Sequence, residues 1–74
     1  MSEQAALQKV FNVLGEARGR QIVDQVFQQL GTRELSTPND RLRFGNALIS
    51  RGGVLESIGR AIKIQAFLHG ATED

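Results

Sequence analysis

The apolar residues of this chain recur three and four positions apart, in four blocks, and nowhere alternate as a half-buried strand requires. That spacing puts them on one side of a helix, so an all-α fold is the expectation. Leu7, Val10, Phe11 and Leu14 form the first stripe and predict a helix over about 3–14, with Ser2 as N-cap and Glu3 near the positive helix end. Ile22, Val23, Val26, Phe27 and Leu30 form the second stripe, opposite Gln21, Asp24, Gln25 and Gln28, over about 17–30; Gly31 follows as a natural terminator. At about 100° per residue the two stripes point roughly 140° apart if the helix is carried through unbroken. Gly15 and Gly19 lie at that change of phase, so a break is predicted there, although no good capping residue marks the restart. One long helix is the alternative.

The clearest local signal is Thr37-Pro38-Asn39-Asp40. Thr37 can cap, Pro38 suits the first helical position, and Asp40 stands where a capping box closes. A loop over 32–37 and a third helix over about 38–50 follow, stopped by Gly52-Gly53. The fourth helix is expected over about 54–69, with Val54, Leu55, Ile58, Ala61, Ile62 and Leu68 on its main face. Gly70 ends it, and 71–74 reads as a frayed tail. The expectation is one domain over 1–74, a compact bundle or orthogonal array of four short helices.

A chain of 74 residues buries only roughly 60% of its unfolded surface, so its stability rests on close packing or on self-association. Disulfides and thiolate metal sites are excluded because there is no cysteine, and a lone His69 excludes a histidine-rich site. No cofactor or metal is expected. MSEQAALQKV has neither the basic start nor the apolar run of a signal peptide, and no stretch has the length of a membrane span, so a cytoplasmic, membrane-free protein is expected.

No catalytic motif is present: G-x-S-x-G, H-E-x-x-H and the P-loop are all missing, and the acids are scattered. The expectation is a protein that is not an enzyme. Gly15 and Gly19 make a G-x-x-x-G, which has little meaning without a preceding strand or a membrane. His69 reads as a last-turn residue favourable at the negative helix end, with an interface contact as the sharper alternative.

Helix three breaks the single-stripe pattern. Leu42 and Ile49 lie on one side, Phe44 and Leu48 more than about 100° away. A helix with two apolar sides is central in its fold or shared with a partner. Phe67 falls among Glu56, Arg60 and Lys63, off the main stripe of helix four. Phe44, Leu48, Ile64 and Phe67 are therefore the candidate partner-binding residues of a helical protein–protein interaction module, an adaptor or regulator, expected to be a homodimer.

The alternative is a regulator that binds nucleic acid. Residues 41–63 carry five cations against Glu56 alone, a net +4, and Arg43, Arg51, Arg60 and Lys63 are the candidate phosphate contacts. The basic bias is modest for such a role, and there is no tyrosine or tryptophan for base stacking. Helices three and four with the Arg51-Gly52-Gly53 turn have the gross form of a helix-turn-helix, but the turn fits its usual residue pattern in neither register.

Overall fold

A computed structural model describes residues 2–73 and gives four helices: α1 (Glu3–Leu14), α2 (Glu16–Leu30), α3 (Pro38–Arg51) and α4 (Gly53–Leu68). No strand occurs among the described residues, and the all-α expectation holds. The caps explain the boundaries. Ser2 Oγ accepts from the Ala5 amide, and at α3 both halves of the capping box form: Thr37 Oγ1 accepts from the Asp40 amide, and Asp40 Oδ2 accepts from the Thr37 amide. Gly31 closes α2 in the left-handed conformation, and the Thr32 amide reaches back to the Phe27 carbonyl.

Both tight connections are single glycines. Gly15 (φ 82°, ψ 169°) separates α1 from α2, and Gly52 (φ 73°, ψ −171°) separates α3 from α4. Each ends one helix and starts the next, in a region of backbone space that essentially only glycine occupies. The predicted break between the first two helices is therefore real, and it needs no capping side chain. The chain folds as two helical hairpins joined by the 31–37 loop.

In the second hairpin the helices run side by side and antiparallel. Contacts step from Ile49 against Gly59, through Gly45 against Gly59 and Ile62, to Leu42 against Ala66. This is an αα-hairpin rather than the roughly 90–120° arrangement of a helix-turn-helix. Glycine makes it so close: a Cβ on Gly59 would stand 2.5 Å from the Gly45 carbonyl oxygen, and one on Gly45 2.8 Å from the Gly59 carbonyl oxygen. The first hairpin uses the same device once, with Gly19 beneath the Phe11 ring.

The hairpins close on a core of Ala6, Val10, Val23, Val26, Leu35, Phe44, Ala47, Leu48, Ile58 and Ile62. Phe44 and Phe27 meet edge to face with centroids 5.8 Å apart. On the other side of α3, Leu42 packs with Ala66 and Ala71. Of the two explanations for the two-sided α3, the structure gives the internal one: the helix is central in the fold.

The 31–37 loop and the C-terminal segment are both fastened to the helices. Leu35, inside the 31–37 loop, is fully buried. Its amide donates to Glu3 Oε1 at 2.8 Å, and its carbonyl accepts from the buried Arg41 guanidinium at 2.9 Å. Residues 71–73 are not frayed: Ala71 is buried, the Thr72 amide donates to Asn39 Oδ1, and Glu73 accepts from Asn46 and pairs with Lys63. Asp74, the last residue of the expected tail, lies outside the described residues.

Candidate interaction surface

Phe44 and Leu48 are fully buried in the core of one chain, so neither is presented to a partner. This corrects half of the expected contact set. The reason is steric: Gly45 and Gly59 draw α4 onto one side of α3, and Phe44 and Leu48 then close the space between the hairpins.

Ile64 and Phe67 remain on the surface, 59% and 41% exposed. Beside them Leu68 is 73% exposed, and Val54 at the start of the helix is 51% exposed. The expected main face of α4 included Val54 and Leu68; the buried face is instead Ile58, Gly59, Ile62 and Ala66 with Leu55 half-buried. The approach of α3 over Gly59 and Ala66 rotates the buried side away from Val54 and Leu68. Four of the five exposed large apolar side chains among the described residues belong to α4; Val13 on α1 is the fifth. Ile64, Phe67 and Leu68 are spaced i, i+3 and i+4, so three of them share one patch. Lys63 borders it, its Nζ 6.0 Å from the Phe67 ring centroid.

The four candidate phosphate contacts are each engaged within the chain. Arg43 donates to the Leu30 carbonyl at the end of α2, and Arg51 donates to Gln25 and Gln29. Arg60 makes two bonds to Glu56 Oε2, one turn earlier, and Lys63 pairs with Glu73 at 3.4 Å. The Asn46 amide hydrogen bond, with smaller help from the Lys63 charge, holds the Glu73 carboxyl below its ordinary value against the opposing effect of desolvation. His69 caps α4 through its backbone amide, which donates to the Gln65 and Ala66 carbonyls, and the residue is exposed.

An open groove of about 690 Å³ follows the glutamine-rich side of α2, lined by Gln21, Asp24, Gln25 and Gln28 and ending at Arg33. A smaller one of about 330 Å³ lies between α2 and α3, beside Arg43, Asn46 and Ser50. Neither gathers a nucleophile with a base. Among the described residues no group of three or more His, Asp or Glu is placed to hold a metal, and no helix is long and apolar enough to cross a membrane. No protein-family model, curated protein or solved structure matches the chain.

Proposed function

We propose that this chain is a helical protein–protein interaction module, an adaptor or regulator acting in the cytoplasm without chemistry of its own, and that its contact surface is the outward face of α4. One observation carries this: Ile64, Phe67 and Leu68 form a contiguous apolar patch on a chain that otherwise closes its core well. Large apolar side chains exposed singly are ordinary, but three adjacent on one helix face have the character of an interface anchor. The helix beneath is held firmly on its other side by Gly45, Ile49 and Leu42, so the patch is presented without a cost in ordering.

The test compares proteins captured from a native lysate by wild type and by an Ile64→Asp, Phe67→Asp double variant. Both positions are exposed, so the variant keeps its helical circular dichroism. Capture of specific proteins by wild type and their loss with the variant is the expected result. Identical capture by both proteins would remove the α4 face from consideration.

A further inference from the structure

We infer that the partner of the α4 face is a second copy of this chain, docked antiparallel along α4; this rests on the interaction-module reading above and adds the identity and register of the partner. Two lines of residues run along the outward side of α4 through Ser57 and Ile64, one of them over the half-buried Ala61. One includes Arg60, which is held by Glu56, and is unsuited to a dry seam. The other is Ser57, Ala61, Ile64 and Leu68, at spacings of four, three and four, which is the repeat of a two-helix seam.

Within those four positions two small residues precede two large ones; Val54, 51% exposed and three residues earlier, continues the line and in the register below lies beyond the end of the partner's α4. Laid against itself in parallel, small would face small and large would face large. Turned antiparallel about an axis between Ala61 and Ile64, every layer pairs one of each. Ser57 faces the partner's Leu68, Ala61 faces the partner's Ile64, and the two-fold axis repeats both contacts. The same register sets Arg60 beside the partner's Phe67, a second cation–π contact for a ring that Lys63 already approaches within its own chain.

The size of the patch sets the strength. Ile64, Phe67 and Leu68 expose on the order of 300 Å² together, the range of the largest apolar patch on an ordinary monomer. A standard interface takes about 800 Å² from each partner. Ser57, Arg60 and Ala61 widen the contact without reaching that figure, so the dimer is concentration-dependent rather than permanent.

The chain has no cysteine, so introduced thiols report cleanly. Sedimentation equilibrium from about 1 μM to about 1 mM, the span over which such an affinity is read, should show monomer passing to dimer, and Ile64→Asp should weaken it at least about tenfold. Under mild oxidation a mixture of Ser57→Cys and Leu68→Cys chains should form the mixed disulfide. Ser57→Cys alone should not, because its two copies would stand about 16 Å apart along the axis, beyond disulfide reach. Both sites are exposed, and unchanged circular dichroism confirms the fold of each variant. Cross-linking of Ser57→Cys with itself would overturn the antiparallel register, and a dimer indifferent to Ile64→Asp would overturn the α4 seam. A strict monomer to about 1 mM would overturn the second copy as partner; if lysate capture still depended on Ile64 and Phe67, the interaction-module reading would stand without it.

Discussion

At Gly59 an added Cβ meets backbone, the Gly45 carbonyl oxygen at 2.5 Å and the Ile49 amide nitrogen at 2.9 Å, so α3 and α4 must separate to admit it. Gly59→Ala is expected to cost about 1–3 kcal/mol, as overpacking does, despite the better helix propensity of alanine. Phe44→Ala removes a fully buried ring and should cost about 3–5 kcal/mol, enough to unfold a domain of ordinary stability. Phe67→Ala should stay within about 0.5 kcal/mol, because that ring is exposed in the monomer. Urea denaturation of the three variants at low concentration ranks them. Glu73 gives a prediction in pH. Its carboxyl is held below the ordinary 4.5 in the folded chain by Asn46 and Lys63, so its contribution is complete above that value and is lost as pH falls through the depressed one. The Thr72 amide resonance should therefore move below pH 4.5 while the core amides stay fixed. Glu73→Gln, which keeps an acceptor for Asn46 and drops the charge, should remove that step.

Among the elements, the two hairpins are built by one trick without a shared sequence: a glycine at φ 82° or φ 73° with an extended ψ. Gly15→Ala should cost about 1–3 kcal/mol because the break cannot be kept with a β-carbon at that backbone position, although nothing lies within 4 Å to obstruct the side chain itself. Thermal unfolding measures it, and an unchanged midpoint would mean that α1 and α2 tolerate a different joint. All four helices were legible in the sequence because several of their boundaries are written in local chemistry: Ser2, the Thr37–Asp40 box, Gly31 and the Gly52-Gly53 stop. The break at Gly15 was legible from phase alone. What stayed hidden was set by packing at a distance. Leu35 sits among polar loop residues, and only the fold brings Glu3 and Arg41 to its peptide groups. The buried side of α4 was misjudged because apolar periodicity weighs Val54 and Leu68, whereas the contact with α3 runs over Gly59 and Ala66, which leave little mark on such a pattern. The same close approach buried Phe44 and Leu48. Of the expected contact set, Ile64 and Phe67 alone stay at the surface, and Leu68 joins them there.

For the molecule as a whole, the question is whether one chain suffices to fold. Its accessible surface is 4412 Å², against about 4,500 Å² for a compact monomer of this mass. Its radius of gyration is 10.9 Å, against about 11 Å from the general size relation. Ten buried residues form one cluster within the chain, and three more, Leu42, Ala66 and Ala71, close the far side of α3. A protein that needed its partner to fold would leave a core-sized apolar face open, with Phe44 or Leu48 on it; both are at 0% exposure. The closed core therefore lets one chain fold without the proposed second copy, unlike in an obligate dimer, whose stability moves with protomer concentration. Helical circular dichroism and the urea midpoint should be the same at about 1 μM and about 100 μM, to within the small mass-action gain of a weak dimer. Ile64→Asp should remove even that gain while leaving the dilute midpoint where it was. A midpoint that rose steeply with concentration would show that the α4 face belongs to the folding core of a permanent dimer, and would make the exposed Ile64, Phe67 and Leu68 a property of the isolated chain only.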